Sequence, residues 1–335
     1  MTTSSWRLDV ASAGEALELL RGARLVLIPT HQNVDADGLA SAIAMSMALA
    51  QMGVTARPMV SDGQRPHQLK FLPGFDEVLV YGKDDLPEYD LLCLVDCSDR
   101  RRLGDFYADD PERVSGQIPI VNIDHHVTND RFGQVNIVVP EAASASEIVA
   151  DILQAWETNI TREIAQCLLA GIYGDTLGLR TDSTTSRTMR TSADLVDAGA
   201  DPVPIVDALF RVKPRSSVCL WEKALRNVQY TGGLIWTELT QDTFDRCGAS
   251  ASEAEGMVNF LVGTEGSGAA AILYANDKGW RVSMRSLPDS VDVAKIAAEF
   301  GGGGHPRAAG VQIDGDEAAK RAFVERVGKL AQNNR

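Results

Sequence analysis

Four short stretches of the chain place histidines and aspartates where apolar runs end. They are His31-Gln-Asn-Val-Asp35-Ala-Asp37-Gly38, Val95-Asp96-Cys97-Ser98-Asp99, Ile123-Asp124-His125-His126 and Gly171-Ile-Tyr-Gly174-Asp175-Thr176. Asp35 and Asp37 are close enough in sequence to turn both carboxylates toward one point, and Gly38 permits close approach. A helix cap would account for one of these aspartates and leave the other, and His31, unexplained. Two adjacent imidazoles directly after a buried strand are costly unless something polar or metallic receives them. A carboxylate at the end of an apolar helix, as at Asp175, opposes the helix dipole and calls for a nearby cation. Oxygen and nitrogen donors without thiolates suit Mn2+, Mg2+ or Fe2+ better than a structural zinc. Four aspartates (Asp35, Asp37, Asp96, Asp175) and two or three histidines suffice for two divalent ions, a pair able to stabilise both the attacking and leaving oxygens of a phosphoryl displacement.

The elements that must position these residues are legible as apolar runs. Strands are expected at Arg24–Thr30, Thr55–Asp62, Glu77–Tyr81, Leu91–Asp96 and Ile118–Asp124, alternating with helical patterns such as Asp37–Met52. Uncharged cores such as Leu-Leu-Cys-Leu-Val predict an α/β fold with a parallel sheet covered by helices on both faces. In such sheets chemistry sits beyond the carboxyl ends of strands, where His31, Asp96 and Asp124 to His126 fall. Helices follow at Ser146–Thr158 and Thr161–Thr176. A stretch with two prolines and a glycine, Gly199–Pro204, suggests a linker over residues 191–215. It would join a domain of residues 1–190 to one of residues 216–335. Beyond it the pattern turns to hairpins: Leu234–Leu239, Ala269–Tyr274 and Arg281–Arg285, with an Asn-Asp-Lys-Gly turn at Asn276 to Gly279. Helices are expected around Val291–Phe300 and Glu317–Ala331.

With 335 residues, 44% hydrophobic and 23% charged, the chain is long enough for two cores. A net charge of −14 is opposite to what gripping duplex DNA through many phosphates requires. A small anionic substrate then needs metal ions to neutralise it locally. The apolar stretches are too short to span a membrane, and residues 1–10 lack the cationic start and apolar run of a secretory signal, so a cytoplasmic location is expected. The five cysteines have no zinc-like spacing and read as reduced, mostly buried small hydrophobes. Asp84-Asp85 and the basic run Arg100–Arg102 read as solvated surface, although the latter follows Asp96 closely enough to meet a substrate phosphate. Four successive glycines, Gly301–Gly304, would expose backbone N–H groups to a phosphate, with His305 and Arg307 adding donors beside them.

In order and spacing, H-x-x-x-D-x-D at His31 to Asp37, V-D at Asp96, D-H-H at Asp124 to His126 and G-D at Asp175 resemble the four motifs of the DHH phosphoesterase superfamily. The later G-G-G-G-H-P-R-A-A-G at Gly301 to Gly310 resembles the signature of its DHH-associated C-terminal domain. The nearest match is the branch of oligoribonucleases and pAp phosphatases. The resemblance implies a DHH catalytic domain followed by a smaller α/β domain with a mixed sheet. His31 and Asp35 would hold one ion, Asp37, His125 and Asp175 the other, and Asp96 would bridge them. Asp124 would orient a histidine, and His126 would contact the scissile phosphate or help protonate the leaving oxygen. Arg285, Gly302, Gly303, Gly304, His305 and Arg307 would contact substrate from the second domain. The implied substrates are short single-stranded RNA or dinucleotides such as pApA, and pAp, with Mn2+ as the implied metal; cyclic di-AMP hydrolysis and dinucleotide binding without turnover are the alternatives. The resemblance also implies dimerisation through the first domain.

Overall fold

A strand covered on both faces needs apolar side chains on both, which is why the short uncharged runs become the interior of a parallel sheet. The computed structural model describes residues 6–254, 256–287 and 290–333. Its first sheet contains β1 (Val26–Pro29), β2 (Ala56–Val60), β3 (Leu79–Val80), β4 (Leu91–Val95), β5 (Ile120–Asp124) and β6 (Val135–Val138). All pairings are parallel, in the order β3-β2-β1-β4-β5-β6. Every residue of β1, β4 and β5 is buried. Strand alternation sends Val26, Ile28, Leu91, Cys93 and Val95 into one core and Leu27, Leu92 and Leu94 into another on the opposite face.

Among the described residues, the helices of the same unit are α1 (Val10–Gly22), α2 (Ala36–Gln51), α3 (Gly104–Ala108), α4 (Ala145–Ala155), α5 (Arg162–Asp175), α6 (Ser186–Asp197) and α7 (Pro202–Val206). Buried side chains of α1, α2, α4 and α5 fill the first core, and Phe106 of α3 enters the second. Side-chain oxygens fix the helix starts: Asp35 accepts from Gly38 N at 3.0 Å, Ser144 from Glu147 N at 3.1 Å, and Thr161 from Ile164 N at 3.4 Å.

The chain divides into two compact units after Val212. Most of residues 191–215, read from sequence as a linker, is helical: the chain completes α6, forms α7 and makes a π-helical turn at Asp207–Arg211. Leu195 and Ile205 are buried in the first core. The prolines mislead because Pro202 and Pro204 lie in the first turn of a helix, where an N–H has no intrahelical partner to lose, and Asp201 caps that turn at Val203 N, 2.9 Å away.

The second unit contains α8 (Arg215–Arg226), β7 (Gln229–Thr231), β8 (Leu234–Leu239), α9 (Gln241–Cys247), α10 (Met257–Val262), β9 (Ala269–Asn276), β10 (Gly279–Ser286), α11 (Val293–Glu299), β11 (Gly303–His305), β12 (Ala308–Asp314) and α12 (Glu317–Asn333). The sheet is mixed, as expected, in the order β11-β12-β10-β9-β8-β7. β9 and β10 form the expected hairpin, with Asn276 opposite Gly279. β8 and β9 are not a hairpin; they pair in parallel, with α9 and α10 lying between them in sequence. One face packs against α11 and α12, the other against α8, α9 and α10. Among the described residues no helix is long and apolar enough to cross a membrane.

The reading of five reduced cysteines is corrected here. Cys219 and Cys247 form a disulfide joining α8 to α9, while Cys93, Cys97 and Cys167 are free and buried. The pair is 28 residues apart, and the packing of two helices, which spacing does not encode, brings it together. Burial pushes the Cys93 and Cys97 thiols up to about 12, as small hydrophobes would be.

Candidate metal centre

Parallel strands end at one edge of the sheet, and the order of this one reverses between β1 and β4, opening a crevice at that point. His31 follows β1, Asp96 follows β4, and His125 and His126 follow β5. Asp96 turns out of its strand with φ of 60°, a left-handed conformation that Asp and Asn adopt more readily than other side chains. Both its oxygens face imidazoles: Oδ2 lies 3.3 Å from His31 Nε2, and Oδ1 lies 3.4 Å from His125 Nε2. Asp35 Oδ1 is 3.6 Å from His31 Nε2, and Asp175 Oδ2 is 3.1 Å from His125 Nε2. Donor atoms of His31, Asp35 and Asp96 lie within 4.8 Å of one another, as do those of Asp37, His125 and Asp175 and, in a third group, those of Asp96, Asp124, His125 and His126.

The chemistry of this donor set fits divalent cations. His31 Nδ1 donates to the backbone carbonyl of Gln32 at 2.9 Å, which leaves Nε2 of the neutral ring as a lone pair. That lone pair faces carboxylate oxygens, and His31 Nε2 and Asp96 Oδ1 are both buried without a hydrogen-bond partner. Acceptors aimed at acceptors require a proton or a cation among them. Burial opposes charge on His31, but Asp35 and Asp96 outweigh it and push the imidazole up to about 10. His125 is likewise raised, against burial, by Asp175 and Asp96. Burial raises Asp175 to about 6 even though His125 pulls the other way, and burial with the Asp175 and Asp96 charges lifts Asp37 well above the usual carboxylate range. Burial also opposes the charge of Asp96, but the imidazoles of His125 and His31 hold it well below that range. The metal-free protein thus gathers protons where cations would neutralise the same charges.

Asp37 is fully buried, and both its oxygens are tied to the first turn of α4: Oδ2 accepts from Ala145 N at 2.6 Å and Oδ1 from Ser146 N at 3.0 Å. Glycines make room for it. A Cβ on Gly171 would lie 2.6 Å from Asp37 Oδ1, one on Gly174 would lie 2.8 Å from the Ala36 Cβ, and one on Gly38 would lie 2.8 Å from His31 Nε2. The Gly-x-x-Gly of α5 therefore lets the start of α2 approach, a purpose the sequence reading did not assign. Asp35 both caps α2 and faces His31, so its role as a cap does not take it out of the cluster.

The D-H-H triplet divides its work. Asp124 Oδ1 accepts from His126 Nδ1 at 2.8 Å and from the backbone N–H of His125 at 2.8 Å; its Oδ2 accepts from Asn129 Nδ2 at 2.6 Å. His126 Nε2 in turn accepts from Arg102 Nη1 at 3.3 Å. Sequence reasoning missed Asn129, which follows the motif by three positions, and read Arg102 with its neighbours as solvated surface, although close enough to Asp96 to meet a substrate phosphate.

In the second unit the glycine run is not an open loop. Gly301 N and Gly302 N donate to carbonyls of Ala298 and Ala297 at 3.2 and 2.8 Å, and β11 pairs with β12. A Cβ on Gly302 or Gly304 would collide with the backbone of β12, so close strand packing demands these glycines, whereas Gly301 and Gly303 face open space. The expectation of a freely exposed row of N–H groups is corrected accordingly. Backbone register aligns His305 with Ala308 and Ala308 with Arg285, placing His305 and Arg285 at one level of the sheet. Arg307 contributes its carbonyl to Ser286 N at 3.1 Å.

The profile of the DHH family, N-terminal domain, matches residues 25–172, and that of the DHHA1 domain matches residues 240–333. The chain is 31% identical over 320 residues to the bifunctional oligoribonuclease and PAP phosphatase NrnA of Thermus thermophilus, covering 92% of this chain and 90% of that one. To the protein of the same name from Bacillus subtilis it is 25% identical over 317 residues, covering 92% and 96%. Its fold superposes on an exopolyphosphatase-related protein from Bacteroides fragilis with a TM-score of 0.88 at 22% identity, covering 97% of this chain and 98% of that one. RecJ of Thermus thermophilus in complex with Mn2+ shares the fold at a TM-score of 0.58 and 16% identity, with 99% of this chain matched to 56% of RecJ. Motifs, fold and near full-length likeness agree: the chain belongs to the DHH/DHHA1 family of metal-dependent phosphoesterases.

Proposed function

We propose that this phosphoesterase hydrolyses short oligoribonucleotides, among them dinucleotides such as pApA, to mononucleotides in the cytoplasm, and converts pAp to AMP. The observation that carries the reading is Asp96, a buried carboxylate with Oδ2 beside His31 and Oδ1 beside His125 and His126. His31, Asp35 and Asp96 would hold one cation, and Asp37, His125, Asp175 and Asp96 the other, with Mn2+ best suited to these donors. When bound, such a pair neutralises phosphate charge and makes water a nucleophile at neutral pH. Around it, Asp124 would hold the Nδ1 proton of His126, whose Nε2 accepts from Arg102 in the metal-free protein and would face the scissile phosphate or protonate the leaving oxygen only once it carries a proton of its own. In the second unit, Arg285, Gly302, Gly303, Gly304, His305 and Arg307 are assigned to substrate. The shared level of Arg285 and His305 supports that assignment, and Gly303, between two tightly packed glycines, has room above it. The near full-length likeness to two proteins named as oligoribonucleases and PAP phosphatases supports the substrate class.

Product analysis of the Mn2+-loaded protein on pApA, longer 5′-phosphorylated RNA, pAp and cyclic di-AMP tests the reading. Mononucleotides from pApA and AMP from pAp are expected. Binding of both without turnover over hours would instead make the chain a dinucleotide receptor. Asp124→Ala should lower kcat about 10- to 100-fold, the usual effect of removing an orienting partner, with Mn2+ affinity held within a few-fold. The His126 ring resonances in an NMR spectrum should shift while those of His31 stay in place; an unchanged kcat would show that Asp124 has no orienting role.

A further inference from the structure

Three consecutive arginines follow β4 in one turn, and they have different fates. Arg100 stacks on the Phe132 ring, 4.9 Å from its centroid, and donates to the Phe132 carbonyl at 3.1 Å. Arg101 pairs with Asp99 at 2.9 Å. Arg102 meets no carboxylate within ion-pair distance among the described residues. Its guanidinium reaches, among the described residues, His126 Nε2 at 3.3 Å and Ser98 Oγ at 3.4 Å, both through Nη1. Its backbone is nevertheless pinned: Arg102 N donates to Asp99 O at 3.0 Å, and Arg102 O accepts from Gln32 N at 2.5 Å, tying the turn after β4 to the one after β1.

A guanidinium stays charged in proteins and carries five donors in a rigid fork. An arginine with a structural task spends that fork on carbonyls, carboxylates or rings, as Arg101 does on Asp99 and as Arg100 does in part on Phe132, its Nε staying buried without a partner. Arg102 is half-buried beside the acidic centre, has a fixed backbone, and spends one nitrogen on two long contacts. With Asp124 holding the His126 Nδ1 proton, the imidazole is a backstop that accepts from Nη1 and leaves Nε and Nη2 for another acceptor. We propose that Arg102 is a phosphate receptor of this site, its fork taking non-bridging oxygens of the phosphate that the centre attacks. The proposal rests on the phosphoesterase reading and names a residue that the four motifs do not contain. It also supplies a fixed positive charge for an anionic substrate in a chain whose net charge is −14.

The test is calorimetric titration of the Mn2+-loaded wild type, Arg102→Ala and Arg102→Lys with AMP and with inorganic phosphate, alongside Mn2+ titrations and pApA turnover. Arg102→Ala should weaken AMP and phosphate binding about 10- to 150-fold, the equivalent of a charged hydrogen bond. Arg102→Lys should recover part of this, as a point charge without the fork. Guanidinium chloride, against a sodium chloride control, should partly restore AMP binding to Arg102→Ala, and Mn2+ affinity should not change. Equal AMP and phosphate affinity in wild type and Arg102→Ala overturns the proposal, as does a loss matched by an equal loss of Mn2+ affinity. If AMP binding depends on Arg102 while the wild type turns over nothing, the receptor stands and the hydrolase reading falls. If the wild type turns over pApA while AMP affinity is independent of Arg102, the hydrolase reading stands and the receptor falls.

Discussion

Replacing Asp96 by Asn is expected to abolish turnover, lowering kcat by more than about 10^3-fold, beyond what one lost transition-state hydrogen bond removes, while the fold stands. Asn has the same shape and tolerates the left-handed backbone that Asp96 adopts, so the strand exit is not disturbed. The variant loses the charge that two imidazoles share and exchanges one acceptor oxygen for a donor group. Removing that carboxylate relieves repulsion on Asp37 and Asp175 but also takes a counter-charge from the buried imidazoles of His31 and His125, so the metal-free melting temperature should fall rather than rise, without loss of the fold. Added Mn2+ should stabilise the wild type by about 2.7 kcal/mol at a hundred times its Kd and the variant by far less. Turnover of pApA with thermal melts with and without Mn2+ decides the matter. A variant within tenfold of wild-type kcat would remove Asp96 from the centre.

The second large effect is expected from one methyl group. Gly171→Ala drives a Cβ into Ser146 Oγ and places it 2.6 Å from Asp37 Oδ1 and 2.8 Å from Ser146 Cβ, closer than real atoms approach. The carboxylate cannot swing aside without breaking its bonds to Ala145 N and Ser146 N, and Ser146 Cβ moves only with the backbone of α4. Alanine gains about 1 kcal/mol of helix propensity over glycine, whereas overpacking a core costs about 1–3 kcal/mol and occasionally more. The clash wins here because it falls on a pinned carboxylate and on a Cβ that only the backbone can carry away. We expect a net loss near 2 kcal/mol and, since a displacement of about 1 Å costs on the order of 10^2 in rate, a kcat reduced at least that much. Gly14→Ala is the control: Gly14 lies in α1 with nothing within 4 Å of its Cβ position, so the same change should be neutral or stabilising by about 0.4–1 kcal/mol. Denaturation curves and pApA kinetics on both variants distinguish a packing effect at Asp37 from a general intolerance of alanine. Equal behaviour of the two would show that Gly171 has no special place.

The ends of β1, β4 and β5 were legible because a fully apolar run that stops at His or Asp is a strong local signal, and parallel strands bring such ends to one edge without further instruction. What stayed hidden depends on partners distant in sequence. Gly171 and Gly174 look like any helix glycines until α2 is laid against them. Arg102 and Arg100 differ through partners more than twenty residues away in sequence, His126 for one and Phe132 for the other, while Arg101 takes the neighbouring Asp99. Gly301 to Gly304 suggested an open loop by composition, yet a strand packed backbone to backbone needs glycine for the same steric reason as a tight turn. Pro202 and Pro204 suggested a break where they open a helix. The Cys219 to Cys247 bond follows from the packing of α8 on α9.

The bonds from Ala145 and Ser146 to Asp37 close a loop of more than a hundred residues, since the partners are 108 and 109 positions apart. A chain emerging from the ribosome no farther than α3 would have to bury the Asp37 carboxylate without either donor, an expense that an unpaired buried ion does not recover. Loop closure of that length adds little further entropy once a long connection must be closed at all. The crevice at β1 and β4 and the arrival of α4 are therefore one cooperative event, and no stable fragment of the first unit should carry half of the centre.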